Sequence, residues 1–298
     1  MGRGKAAKTL RTEAAIFEIV AERAPITVRG VCYALFTRGL IPDMSRKETN
    51  RISGILTDLR ETRELDWRMI VDGSRAVDRT TVWNNPSEII NAAVRTYRRD
   101  YWQEQPVLVE VWAEKSTVQG VLAPVLNEYG VTFRVMKGFG SFTAVRQAAE
   151  DSLDIPADRD GIILYIGDRD PSGMRMSEVD LPSRLDRYGS RWEFKRIAVT
   201  EDDTPGLPHF DAATKANDSN YQWFVDRYGS RCWELDAIDP NTLRQRVREQ
   251  IEARLDLSAW EHAKYIEQAE VDSMRDFHAA WKNSISGQAQ KYLGTRED

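Results

Sequence analysis

The chain has 298 residues, 41% of them apolar and 30% charged, which leaves room for about two domains and excludes fibrous and wholly disordered classes. No apolar run reaches the roughly 18–20 residues of a membrane-spanning helix. The basic opening Met1-Gly-Arg-Gly-Lys-Ala-Ala-Lys8 lacks the apolar stretch of a signal peptide, so the expectation is a cytoplasmic protein with no membrane partner. Cys32 and Cys232 are the only cysteines and His209, His262 and His278 the only histidines, spaced for neither a disulfide framework nor a zinc site. Any metal is therefore expected on carboxylates.

The formal net charge of -5 is unevenly placed. Residues 1–100 carry 18 Lys/Arg against 13 Asp/Glu, and the remainder 24 against 34. That division suits a basic module facing phosphates joined to an acidic one able to hold cations.

Apolar positions 15, 16, 19 and 20 predict a helix over 12–23, stopped by Pro25. Thr27 is placed to cap a second helix running to about Arg38, with Val28, Val31, Cys32, Leu35 and Phe36 as its stripe. Ser45-Arg-Lys-Glu48 is a capping-box pattern opening a third. Trp67–Gly73 reads as a strand and turn, so residues 1–80 have the order of a winged helix-turn-helix whose third helix offers Arg46, Lys47 and Arg51 to DNA. The same pattern also suits a small helical packing domain with surface arginines.

Residues 81–105 read as a polar connector. From Pro106 the texture alternates: strands at Val107–Trp112, Thr132–Met136, Gly161–Ile166 and Trp192–Val199, with helices at Val118–Tyr129 and Thr143–Asp151. This predicts an α/β domain with a Rossmann-like parallel sheet over 106–255, followed by a helical extension over 256–298.

The first strand ends in Glu114-Lys115, and the third runs into Gly167-Asp-Arg-Asp-Pro-Ser-Gly173. Ligand sites of parallel sheets collect at such carboxyl ends. Asp168 and Asp170, two apart in extended chain, face one side, and a neighbouring strand can bring Glu114 beside them. Two carboxylates about 5 Å apart repel by roughly 3 kcal/mol at an effective dielectric near 20, so the trio calls for a cation, and all-oxygen donors favour magnesium, with manganese as a substitute.

Glu114-Lys-Ser-Thr-Val-Gln-Gly-Val-Leu122, the Lys137-Gly-Phe-Gly-Ser141 loop with Arg146, and Gly167–Gly173 resemble the Toprim domain, most closely that of the topoisomerase VI A subunit and its meiotic double-strand-break relatives. Thr27-Val-Arg-Gly-Val-Cys-Tyr33 resembles the segment in which that family places an Arg four residues before its nucleophilic Tyr on a winged-helix domain. The resemblance spans most of residues 25–180, and more weakly Trp233–Ile238. Gly30 and Cys32 depart from the family pattern, and the chain is shorter than a full A subunit, like the compact standalone homologues of phages and plasmids.

The resemblance implies magnesium on Glu114, Asp168 and Asp170, and Tyr33 as nucleophile assisted by Arg29 and Lys115. It further implies DNA contacts from Lys137 and Arg146, 5′-phosphotyrosyl double-strand breaks, and a homodimer on double-stranded DNA. An ATPase or other accessory protein would be separate, and the setting a nucleoid or phage-infected cell. On a helix Arg29 and Tyr33 lie one turn apart, which also suits a half-buried packing tyrosine with a cation–π neighbour. Two rivals remain: a Toprim nuclease that hydrolyses DNA without a covalent intermediate, and a catalytically silent winged-helix DNA-binding protein.

Overall fold

The computed structural model describes residues 7–71, 82–136 and 142–293. They form two compact units, one joining the amino-terminal residues to Val107–Arg254, the other joining residues 82–106 to those from Leu255 onward.

In the first unit, α1 (Ala7–Arg23), α2 (Val28–Thr37) and α3 (Arg46–Glu61) share a core of Ile16, Ile19, Val31, Leu35, Ile52 and Leu56. Thr27 caps α2, its hydroxyl accepting from Gly30 N at 2.9 Å. Gly30 is demanded by packing: a Cβ there would stand 2.8 Å from Ile26 Cγ1. Ser45 caps α3, but the expected capping box forms only half, because the Glu48 carboxylate turns to Arg51 Nη2 at 2.8 Å.

Strands β1 (Ile26–Thr27) and β2 (Ile70–Val71) pair in parallel, returning the chain after α3 to the start of α2. The strand expected from Trp67 begins only at Ile70. Residues Trp67–Met69 instead form a 3-10 turn because the Asp66 carboxylate accepts from Arg68 N at 2.9 Å. The remainder of that expected turn lies outside the described residues.

The α/β architecture is as expected. Strands β3 (Val107–Ala113), β4 (Thr132–Val135), β5 (Asp160–Ile166) and β6 (Trp192–Ala198) form one parallel sheet in the order β4-β3-β5-β6. Between them run α5 (Gln119–Tyr129), α6 (Phe142–Leu153), α7 (Pro171–Arg175) and α8 (Leu181–Arg187). Trp112, Ile163 and Tyr165 face α6 and α8, covered by Val145, Ala149, Leu181 and Leu185. Further along, β7 (Phe210–Asp211) and β8 (Arg231–Cys232) form an antiparallel pair flanking α9 (Tyr221–Tyr228). Helix α10 (Pro240–Glu252) then buries Leu243, Val247 and Ile251, the face its spacing predicts.

In the second unit, α4 (Pro86–Thr96) packs on α11 (Leu257–Leu293). The expected connector is thus partly helical. Tyr97 Oη donates to Glu270 at 2.8 Å, Arg99 N to Glu267 at 2.7 Å, and the Tyr101 and Trp102 rings meet Trp260 edge-on.

Candidate active site at the carboxyl edge of the sheet

Register sets the site. Ala113 on β3 pairs with Ile166 on β5, so Glu114 and Gly167-Asp168 leave the sheet side by side. The order of strands reverses between β3 and β5, which opens the crevice where ligands of doubly wound sheets bind. Glu114 Oε2 accepts from Asp168 N at 3.1 Å. Asp168 Oδ1 accepts from Leu235 N at 2.8 Å, and its other oxygen lies 2.6 Å from Lys115 Nζ. Asp170 Oδ1 accepts from Gly173 N at 2.8 Å and caps α7, while Oδ2 pairs with Lys215.

The loop between the two aspartates is fixed from below. The half-buried Arg196 guanidinium donates to the main-chain oxygens of Gly167 at 2.6 Å and Val199 at 3.1 Å, and to Ser177 Oγ at 2.6 Å. Asp168 O accepts from the same group. Gly173 packs against the loop so closely that a Cβ would stand 2.5 Å from Asp168 O and 3.0 Å from Glu114 Oε2. Arg169, between the aspartates, exchanges main-chain hydrogen bonds of 2.9 and 3.0 Å with Trp233, which aligns the following Glu234-Leu235-Asp236 with the acids.

Glu234 and Asp236 extend the cluster toward α2. Arg29 Nε donates to Glu234 at 2.8 Å and lies 3.4 Å from Asp236, whose carboxylate is also 3.7 Å from Lys115 Nζ. The Arg29 guanidinium stands 5.7 Å from the centre of the Tyr33 ring. Tyr33 is 8% exposed and, with Arg29, Met44, Phe210, Lys215 and Glu234, lines a cleft of about 470 Å³.

The electrostatics follow from burial. Glu114 is pushed up to about 7, first by burial and then by the charges of Asp168 and Asp170. Asp236 is also raised, by burial and Asp168, against the pull of Lys115 and Arg29. Burial opposes the charge on Lys115, yet Asp168 and Asp236 outweigh it and raise its pKa. Lys215 is raised in the same way by Asp170. Burial pushes the Tyr33 phenol up, Glu234 pushes it further, and Arg29 pulls it back.

Of the expected site residues, the structure brings Glu114, Lys115, Asp168 and Asp170 into one cluster and links Arg29, with Tyr33 beside it, to that cluster. Arg46 and Lys47 are exposed at the start of α3, and Arg51 is paired with Glu48. Arg146 lies on α6, 2.9 Å from Glu150. Lys137 lies outside the described residues. Among the described residues no group of three His, Cys, Asp or Glu side chains is gathered as a metal-ligand set; the acids turn onto Lys115, Lys215 and Arg29 instead. Sequence reasoning missed Lys215 and Arg196 and treated Glu234 and Asp236 as surface charges. The weak resemblance at Trp233–Ile238 was the signal for the last two. No family model matches the chain, and neither a curated protein nor a solved structure matches it.

Proposed function

We propose that the protein is a DNA-cleaving transesterase of the topoisomerase VI A-subunit type, with a winged-helix module carrying Tyr33 and a Toprim module carrying Glu114, Asp168 and Asp170. One observation carries the reading: Arg29, beside Tyr33, is bonded to Glu234 and Asp236, and Asp236 shares Lys115 with Asp168. A phenol, two cations and the strand-end acids thus form one chain of contacts.

The oxygen-donor chemistry of the acids, not their present pairing with lysines and Arg29, supports magnesium or manganese. The ligands are all oxygen, the two aspartates are buried, and Glu114 at about 7 behaves as a carboxyl short of positive charge. Five carboxylates, Glu114, Asp168, Asp170, Glu234 and Asp236, exceed by two charges the Lys115, Lys215 and Arg29 that pair with them. Glu114, Asp168 and Asp170 would hold the ion; when bound, it supplies a Lewis acid that offsets charge on the phosphoryl oxygens.

The remaining work belongs to side chains. Tyr33 Oη bonds to phosphorus as the P–O3′ bond breaks, giving a 5′-phosphotyrosyl ester and a 3′-hydroxyl. The phenolic proton passes to Glu234, and the departing 3′ oxygen takes a proton from water, whose hydroxide is neutralised by the proton that Glu234 releases, so the step leaves no net charge behind. An unperturbed phenol is ionised at neutral pH only at a cost of about 4 kcal/mol. Tyr33 is shifted upward from there, so its proton leaves during attack rather than before it. Arg29 offsets the charge that develops on the phenol oxygen.

Cutting both strands requires two copies, so we assign a homodimer on double-stranded DNA, with Arg46, Lys47, Arg51 and Arg146 toward phosphates and an ATPase partner on a separate chain. The 8% exposure of Tyr33 favours a second reading, hydrolysis by water at the same carboxylates. Incubation with supercoiled DNA and magnesium or manganese, then detergent and protease, separates them. The transesterase yields linear DNA with protein on its ends, lost in Tyr33→Phe; equal cutting by Tyr33→Phe transfers the assignment to the nuclease.

A further inference from the structure

Beside the Tyr33 cleft lies a second cavity of about 560 Å³, within the roughly 300–1,000 Å³ range of small-molecule sites. Its walls include Phe36 and Thr37 from α2, Pro208 and His209 from the segment before β7, and Arg231 and Trp233 from the β8 region. Phe36, Pro208 and His209 line both spaces, so the two adjoin. Three ring systems meet there with a cation. His209 and Trp233 have centroids 5.8 Å apart, and Arg231 stands 5.7 Å from the centre of the Trp233 ring. Trp233 is 5% exposed, yet its indole N–H finds no hydrogen-bond partner among the described residues.

We infer that this cavity is a subsite for an unpaired nucleobase next to the phosphate that meets Tyr33. A base supplies a π face for Phe36 and the exposed His209, with the exposed Arg231 guanidinium beside it. Tyr33 and Phe36 are three residues apart on α2, neighbours on one helix flank, which sets the base subsite beside the nucleophile. A paired base keeps its faces stacked in the duplex, so the subsite selects DNA that is gapped or locally open. The inference rests on the reading of the protein as one that acts on DNA.

The test measures binding by the full chain, without added metal, of a duplex bearing 2-aminopurine in a short single-stranded gap, against the same base in a complete duplex. The expected result is quenching of 2-aminopurine fluorescence in the gap and about tenfold tighter binding of gapped than of paired DNA. Changing the exposed His209 and Arg231 together to alanine is expected to abolish both the quenching and the preference. Equal binding of the two DNAs without quenching, or a preference that survives the double substitution, overturns the subsite and leaves the cleavage reading standing. Failure to bind either DNA overturns both.

Discussion

Lys115 Nζ stands 2.6 Å from the Asp168 carboxylate, so the acid at the centre of the cluster is neutralised by the residue that follows Glu114 in sequence. Removing the lysine leaves the 6%-exposed Asp168 carboxylate without its cation, at a cost of about 3 kcal/mol, the low end for a buried pair because Lys115 is itself 30% exposed. Lys115→Met is therefore expected to lower the thermal midpoint by roughly 10 °C without divalent ions. Millimolar magnesium should restore most of that loss in the variant while moving the wild-type midpoint little. Identical shifts in both proteins would show that the lysine does not stand on the cation's ligand.

Glu114 gives a pH signature. Its folded-state pKa of about 7 lies above the ordinary 4.5, so the native state binds the extra proton and stability falls as pH rises from about 4.5 through 7. The shift corresponds to about 3 kcal/mol. Glu114→Gln should match the wild type in acid and exceed its unfolding free energy by up to that amount above pH 8, measured by denaturant titration. Parallel pH curves for the two proteins would remove Glu114 from the set of buried, charge-stressed groups.

Two glycines separate packing from function. Gly30→Ala meets Cγ1 of the fully buried, β-branched Ile26, so a loss of about 1–3 kcal/mol with intact DNA cleavage is expected. Gly173→Ala meets the Asp168 carbonyl and the Glu114 carboxylate. It should cost about 1–3 kcal/mol and cut DNA cleavage at least tenfold by displacing the acids. Retained cleavage in Gly173→Ala would place the reacting phosphate elsewhere.

Arg29→Ala is expected to lower covalent adduct formation on nicked or supercoiled DNA by about 10²-fold or more, in line with loss of a preorganised cation at a developing negative charge. Arg29→Lys should recover only part of it, since one ammonium does not reproduce the contacts to Glu234 and Asp236. An adduct yield unchanged in Arg29→Ala, scored on denaturing gels, would reduce Arg29 to a packing partner of the Tyr33 ring.

The residues legible in the sequence are those governed by local rules. Thr27 and Ser45 cap their helices as their side chains dictate, although Glu48 prefers Arg51 to closing the box. The apolar runs of β3 and β5 place Glu114 and Asp168 at strand ends, and alternation brings in Asp170. Lys215 was illegible because it sits at the end of the 3-10 turn Ala212–Lys215, whose place against Asp170 is set by the β7–β8 pair and not by any periodicity. Arg196 was hidden for another reason: in a strand that also carries Glu193 and Lys195, a charge looks like a surface residue, yet this one is consumed by main-chain carbonyls. Residues 82–105 read as polar linker because the surface that α4 covers belongs to α11, far along the chain.

The reciprocal main-chain bonds between Arg169 and Trp233 span more than sixty positions of sequence. They act as a clasp: the turn bearing Asp168 inherits its shape from a distant stretch rather than from its own neighbours. The intervening excursion, from the end of β6 to β8, can change its outer surface during evolution provided both halves of the clasp still meet and Lys215 still reaches Asp170. Variation among descendants of this sequence should accumulate there, where substrate preference can be retuned without disturbing the chemistry.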